Sequence, residues 1–186
     1  MMDPERHLIQ IVDAAFAEAQ RRAGAWLQCA PGCGACCHRP FPNTAADTRR
    51  LQRGLALAPV DLAADIRARG QALWRRMTHD FPGNDATGAL TGDDAWREWF
   101  FNRMTGHACP ILDDATQACR LYEHRPIACR LAGPAIQAGP GIFPPCHKNY
   151  AGATDAEVNA CRVVLDDPLF FEPAEEPETV IAFVCK

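Results

Sequence analysis

The sequence predicts a mainly α-helical fold, and we expect its 186 residues, 1–186, to form a single domain. Apolar residues recur every three or four positions over several segments, which is the spacing of one face of an α-helix. Glycine and proline are concentrated between those segments. With 48% hydrophobic and 23% charged residues, the chain has the composition of a globular protein with a buried core.

Four of the five predicted helices begin at a residue that caps helices well, and the third begins at Pro59. Proline at the first helical position strengthens the first prediction. The predicted helices run from Asp3-Pro4 to near Gly24, from a cap at Asn43 or Thr44 to about Leu57, from Pro59 with an apolar face that reaches Phe81, from a cap at Asp93 or Asp94 through Ala95 to Met104, and from a cap at Thr154 or Asp155 to about Leu165.

The segments between the helices are predicted to be irregular. Residues 82–92 form a loop in this prediction and are the best candidate for a mobile segment. Residues 131–149 are also rich in glycine and proline. A short extended run and its turn separate Cys109 from Cys119, and we expect a small hairpin or irregular loop to bring these two cysteines together.

Four of the ten cysteines fall within nine residues, in the spacing C-x3-C-x2-C-C. Gly32 and Gly34 can adopt the positive φ angles of a tight loop, so several thiolates can converge as a metal ion or an iron–sulfur cluster requires. We expect adjacent Cys36 and Cys37 to point in different directions. The predicted metal ligands are Cys29, Cys33, Cys36, Cys37, Cys109, Cys119, Cys129 and Cys146.

Charge and hydropathy argue against several classes of protein. A formal net charge of −4 is unfavourable for general nucleic-acid binding. No apolar run approaches the length of a membrane span, and the first residues lack the features of a secretory signal. We therefore expect a cytoplasmic protein without nucleic-acid or membrane partners, whose reduced cysteines bind metal. The alternative is a disulfide framework in an exported protein.

The cysteine pattern reads C-x3-C-G-x-C-C, then C-P-I-L, then C-x-L-Y-x-x-R-P-x-x-C-R. It resembles the YkgJ-like proteins, a bacterial cysteine-cluster family described as a "putative zinc- or iron-chelating domain". The resemblance covers about residues 26–132, a cysteine-cluster core that leaves residues 133–186 as a C-terminal extension. It implies metal chelation and no general catalytic activity. The matching residues are Cys29, Cys33, Gly34, Cys36, Cys37, Cys109, Pro110, Cys119, Tyr122, Arg125, Pro126, Cys129 and Arg130.

We expect the helices to cover a loop-built, cysteine-rich metal centre. Zn²⁺ and a [4Fe–4S] cluster each take four thiolates, and zinc is favoured. Eight ligands suffice for two mononuclear sites, one binuclear site with shared thiolates, or one cluster with spare thiols. Arg120, Arg125 and Arg130 are placed to offset the negative charge of the thiolates. The histidines near cysteines, which are alternative ligands, are His38, His107, His124 and His147.

The sequence therefore predicts a metal-binding protein whose centre is structural or serves metal handling. An iron–sulfur redox protein or enzyme is the alternative function, and a thiol–disulfide protein is a third. A closed shell of four thiolates would favour the first function, whereas an open coordination position would favour the second. The sequence identifies neither a substrate nor a protein partner.

Overall fold

The computed structural model describes residues 4–139, 141–168 and 176–186, and helices predominate in it, as predicted. None of the helices in these ranges has the length and apolar character needed to cross a membrane. The α-helices are α1 (Pro4–Ala23), α2 (Ala45–Leu57), α3 (Val60–Met77), α4 (Asp94–Arg103), α5 (Ile127–Leu131), α6 (Asp155–Cys161) and α7 (Ile181–Val184). The strands are β1 (Pro42–Asn43), β2 (Gly83–Asn84), β3 (Ala89–Leu90), β4 (Ile136–Ala138), β5 (Gly141–Phe143), β6 (Val163–Leu165) and β7 (Thr179–Val180).

The chain divides into two compact units. Unit 1 comprises Met1–Ala30 and Ile127–Pro173, and unit 2 comprises Pro31–Pro126 and Ala174–Lys186. Each unit is therefore assembled from two separate stretches of sequence. The single domain expected over residues 1–186 stays a prediction.

Unit 1 is organised around α1, which buries one apolar face. Val12, Ala15 and Ala19 on that face are almost completely buried, as their helical spacing predicted. They pack with a small sheet in which β4 lies between β5, to which it is antiparallel, and β6, to which it is parallel. Ile136 of β4 belongs to the same apolar cluster. The predicted cap of α1, Asp3, lies outside the described residues.

The helix predicted over residues 154–165 is shorter in the structure. Thr154 caps α6 as predicted: its hydroxyl accepts a hydrogen bond from the Glu157 N–H at 3.3 Å, and the Glu157 carboxylate accepts one from the Thr154 N–H at 2.7 Å. The helix nevertheless ends at Cys161, and Val163–Leu165 forms β6. Burial alternates along β6, and its two β-branched valines favour a strand, so pairing with β4 prevails over continued helix.

The predicted helix caps of unit 2 are confirmed. The Thr44 hydroxyl accepts a hydrogen bond from the Asp47 N–H at 3.1 Å, and α2 starts at the next residue. The Asp93 carboxylate accepts one from the Trp96 N–H at 2.8 Å at the start of α4. Both side chains satisfy backbone donors that the first turn of a helix leaves without a partner.

The aromatic core of unit 2 lies along α3. The Trp74 ring centroid is 4.9 Å from that of Phe81 and 5.2 Å from that of Phe183, and both pairs meet edge to face. α3 itself ends at Met77, so the helix does not extend to Phe81 as its predicted apolar face implied. The 3-10 turn Thr78–Asp80 instead leads the chain to the position where Phe81 joins the same cluster.

Two segments that the sequence predicted as irregular contain β-hairpins. β2 pairs with β3 inside residues 82–92, and β4 pairs with β5 inside residues 131–149. In the first hairpin the side-chain oxygen of Asn84 accepts hydrogen bonds from the N–H groups of Ala86 and Thr87 at 3.0 and 3.1 Å. Ladders of two or three residue pairs are too short to produce a clear alternation in the sequence.

β7 and α7 complete unit 2 by returning to its first elements. β7 is antiparallel to β1, with Val180 opposite Pro42 and Thr179 opposite Asn43. α7 then packs against α3 at Gly70, where an added Cβ would lie 2.5 Å from the carbonyl carbon of Cys185. Only a residue without a side chain permits this approach of the two helices.

Candidate metal centre

The loop that carries the first cysteines has the tight conformation expected from its glycines. Gly32 and Gly34 have φ angles of +86° and +54°, and a 3-10 turn begins directly after Gly34. That turn, Ala35–His38, carries Cys36 and Cys37, and the Cys37 N–H donates to the Gly34 carbonyl at 2.9 Å. Cys33 precedes the turn and is half-buried.

Two backbone hydrogen bonds join this turn to the second cysteine block. The Cys109 N–H donates to the Cys37 carbonyl at 2.7 Å, and the Gly106 N–H donates to the His38 carbonyl at 2.7 Å. About seventy residues of chain separate these partners, and most of them form the helices and hairpin of unit 2. The fold of unit 2 thus places the turn that carries Cys36 and Cys37 beside the second block.

The segment between Cys109 and Cys119 forms the predicted hairpin-like loop. Leu112 pairs with Cys119 in an antiparallel bridge, and the Asp113 N–H donates to the Ala118 carbonyl at 2.9 Å. The Asp113 carboxylate accepts hydrogen bonds from the turn, most strongly from Thr116, and these hold the pKa of that carboxyl below its ordinary value. The turn therefore has the geometry that brings the two cysteines together.

Four thiols of unit 2 affect one another's protonation. A hydrogen bond from Cys37 lowers the pKa of Cys36 to about 6, and the Arg125 charge contributes to this shift. The expectation that Cys36 and Cys37 point apart is therefore wrong, because the 3-10 turn allows their thiols to interact. Burial raises the pKa of Cys109 to about 12. Burial also raises the pKa of Cys119, and the negative charge on Cys36 raises it further. Cys36 is thus a thiolate at neutral pH, whereas Cys109 and Cys119 are protonated.

A fifth cysteine of unit 2, Cys185, is a neighbour of these four thiols, and the sequence did not indicate it. It is fully buried in an apolar cluster against which Cys109 and Cys119 pack. Burial raises its pKa, and the charges of Cys109 and Cys119 contribute to the shift. No motif surrounds Cys185, and only the return of β7 and α7 to unit 2 places it there. Cys161 differs, because its Sγ lies in unit 1, 3.5 Å from the Arg22 carbonyl oxygen.

Three predicted ligands belong to unit 1. The Cys29 Sγ accepts a hydrogen bond from Asn149 Nδ2 at 3.3 Å, and Nδ2 also donates to the Gly133 carbonyl at 2.7 Å. The same carbonyl accepts from the Cys146 N–H at 2.9 Å. Gly133 has a φ of +116°, and an added Cβ would lie 2.5 Å from the Cys29 Sγ. Cys129 is half-buried on α5.

The three arginines expected beside the thiolates have different surroundings. Arg125 lies over the Tyr122 ring at 3.6 Å from its centroid, and its charge lowers the pKa of Cys36 and Cys119. Arg120 donates to the Pro110 carbonyl at 2.9 Å and to Asp65 at 2.6 Å, and also lowers the pKa of Cys119. In unit 1, Arg130 binds both carboxylate oxygens of Asp13, at 2.8 and 2.9 Å.

The histidines near cysteines have contacts of their own. His107 Nδ1 is 3.2 Å from the Met104 carbonyl oxygen, and His147 Nδ1 is 3.9 Å from the Cys146 Sγ. His124 packs against Gly54, where an added Cβ would be 2.7 Å from its ring. The His38 carbonyl accepts the Gly106 N–H.

All ten cysteines lie in the part of the chain that the structure describes, and none forms a disulfide there. Among the described residues, no three or more Cys, His, Asp or Glu side chains converge in an arrangement that would hold a metal ion. Within the described part of the chain, neighbouring thiols are therefore present without a closed set of ligands.

The model of a family described as "Putative zinc- or iron-chelating domain" matches residues 28–140. The chain belongs to this family. This chelating-domain match covers the motif cysteines from Cys29 to Cys129 and confirms the resemblance seen in their spacing. Cys146, Cys161 and Cys185 lie outside it. No match was found among curated proteins or among solved structures.

Proposed function

We propose that the protein binds a metal ion through its clustered cysteines, in a structural or metal-handling role, and that the ion is zinc. The observation that carries this proposal is that unit 2 places the turn with Cys36 and Cys37 beside the loop with Cys109 and Cys119, because the Cys109 N–H donates to the Cys37 carbonyl at 2.7 Å. Membership of a chelating-domain family supports it independently. A reducing compartment such as the cytoplasm would keep these thiols available for metal.

The donor set fits zinc. Thiolate sulfur is a soft ligand that Zn²⁺ accepts in groups of four, and zinc supplies the positive charge that stabilises the thiolates. Cys36 is exposed and deprotonated at neutral pH, so it is the thiol most ready to bind first. Cys109 and Cys119 lose their protons on binding, so uptake of metal releases protons. Arg120 and Arg125 offset the negative charge of the resulting thiolates.

The proposal includes the remaining predicted ligands. In unit 1, the Asn149 amide donates to the Cys29 sulfur, and hydrogen bonds of this kind orient and stabilise thiolate ligands. Cys129 and Cys146 belong to the same unit, and Cys33 precedes the turn that carries Cys36. Eight cysteines would serve two mononuclear sites, one binuclear site with shared thiolates, or one cluster with spare thiols.

A [4Fe–4S] cluster in a redox protein or enzyme is the second candidate. Four neighbouring thiols in unit 2 equal the number of ligands that such a cluster takes. Protein that holds a [4Fe–4S] cluster is brown and contains iron and labile sulfide. Protein that holds only zinc is colourless.

The test is elemental analysis and the visible spectrum of protein purified without oxygen. We expect zinc, and we expect a chelator to lower the melting temperature sharply, since structural zinc stabilises folded domains by about 10 kcal/mol. Iron with sulfide would establish the second candidate instead. A folded, colourless protein that contains no metal and takes up none when zinc is added would refute both.

Substitutions locate the site. We expect Cys109→Ser and Cys119→Ser to lower both the zinc content and the melting temperature. Cys161→Ser is the matched control, because Cys161 is also buried but contacts the Arg22 carbonyl in unit 1. Cys185→Ser is unsuitable as a control, because Cys185 packs with Cys109 and Cys119. Equal zinc content in all of these variants would show that the thiols of unit 2 are not ligands.

A further inference from the structure

An open cleft of about 590 Å³ lies in unit 2 between α3 and the segment that leads to Cys109. Its volume is in the range of sites that bind small molecules. One wall is α3, and the other is formed by residues 105–108 and Pro110. The residues that line it are Arg69, Ala72, Leu73, Arg76, Thr105, Gly106, His107, Ala108 and Pro110.

The charge of the cleft is positive. Arg69 and Arg76 are seven residues apart on α3, which is two helical turns, so both point to the same side of the helix. Among the described residues, no acidic side chain lines the cleft. Asp114, outside it, accepts a hydrogen bond from Arg69 Nη2 at 3.2 Å, and Arg69 Nη1 donates to the Leu112 carbonyl at 2.8 Å. These two bonds hold the Arg69 guanidinium in place.

Arg76 remains for a ligand, and Arg69 keeps N–H groups beyond the two that donate to Leu112 and Asp114. The hydrogen bonds and ion pairs of the described residues do not involve the Arg76 guanidinium, which is exposed. His107 Nδ1 lies 3.2 Å from the Met104 carbonyl oxygen, so this nitrogen carries a proton and the ring is fixed. In the neutral ring Nε2 is then a hydrogen-bond acceptor, which suits a donor group of a ligand and not its anionic oxygens.

The cleft also has an apolar part. Leu73 and Pro110 are buried residues that contribute to its lining, and Ala72 and Ala108 add methyl groups. A bare inorganic ion would leave this surface in contact with water. A molecule with a carbon skeleton would cover it and gain from the burial of apolar area.

We propose that this cleft binds a small organic anion whose carboxylate or phosphate groups pair with Arg69 and Arg76. The planar guanidinium forms two parallel hydrogen bonds to either group, so both chemistries fit the arginines. The proposal rests on the shape and charge of the cleft and does not depend on the proposed function.

The test is a titration of ¹⁵N-labelled protein, at constant ionic strength, with succinate, with inorganic phosphate and with the neutral analogue succinamide. We expect succinate or phosphate to shift the amide signals of residues 105–108 and of α3 near Arg76. Succinamide should leave them unchanged. The anion that shifts them at the lower concentration identifies the preferred chemistry.

Arg76→Gln and Arg75→Gln form a matched pair for this titration. Both side chains are exposed on the same helix, but only Arg76 lines the cleft, so each variant loses one charge and no core contact. We expect Arg76→Gln to weaken anion binding at least about fivefold and Arg75→Gln to change it less than about twofold. The proposal is overturned if both variants weaken anion binding equally, or if succinamide shifts the amide signals as much as the anions do. It is also overturned if neither anion shifts the signals at millimolar concentration.

Discussion

Gly70→Ala tests whether the contact between α3 and α7 holds the buried thiols in place. Gly70 is buried in α3, and an added Cβ would lie 2.5 Å from the carbonyl carbon of Cys185 and 2.7 Å from its Cβ. Rotation of the Cys185 side chain moves neither of these atoms. The substitution therefore forces α7 away from α3, together with Cys185.

The expected loss of stability follows from two opposing effects. Alanine in place of glycine inside a helix stabilises the folded state by about 1 kcal/mol. Forcing an extra carbon into a packed core costs about 3 kcal/mol when the neighbour is backbone. We therefore expect the free energy of unfolding to fall by about 2 kcal/mol.

Gly54→Ala is the control for this prediction. Gly54 is also a buried glycine inside a helix, but the three atoms nearest to its added Cβ belong to the His124 side chain, at 2.7 to 2.9 Å, and none of them is backbone. The imidazole ring can rotate away and only the His124 Cβ must shift with its short 3-10 turn, so we expect the free energy of unfolding to fall by only about 1 kcal/mol. Urea unfolding of the metal-free variants measures both values, and zinc content shows whether Gly70→Ala also disturbs Cys109 and Cys119. Equal stability of the two variants would refute the reasoning.

Two further predictions concern the thiols of the metal-free protein. Iodoacetamide should modify Cys36 first at pH 7, with a rate that falls as the pH drops through about 6, the pKa set by its hydrogen bond from Cys37. Peptide mass spectrometry measures this order, and equal modification of all cysteines would contradict it. The free energy of unfolding should fall by about 1–2 kcal/mol between pH 8 and pH 10, as urea titrations at each pH would show. Burial raises the pKa of Cys109 and Cys185, so above pH 9 the folded state keeps protons that the unfolded chain has lost. This stabilisation is complete below the pKa of the unfolded thiol and disappears as the pH rises through the raised value. A free energy that stays constant from pH 8 to pH 10 would refute this prediction.

The features that the sequence predicted correctly depend on neighbours along the chain. Thr44 and Asp93 cap helices through hydrogen bonds to residues three positions later. The glycines of the first cysteine loop and the turn at Asp113 likewise act over a few residues. Such signals are local, and the sequence contains them in full.

The features that the sequence did not predict depend on contacts between distant residues. Val163–Leu165 is a strand because β4 is beside it, and the motif spacing does not encode that pairing. Cys185 joins the thiol group because β7 pairs with β1 and because Gly70 admits α7. Asn149 donates to the Cys29 sulfur from outside the cysteine motifs. Periodicity and spacing report none of these contacts.

The pairing of β7 with β1 sets the order in which a newly made chain can close unit 2. A ribosome adds about 5–20 residues each second, so several seconds pass between the synthesis of Pro126 and that of Thr179. During that interval Cys109 and Cys119 are already part of the chain, while the helix that precedes Cys185 does not yet exist. The nascent chain therefore carries these two thiols for seconds before α7 can cover them.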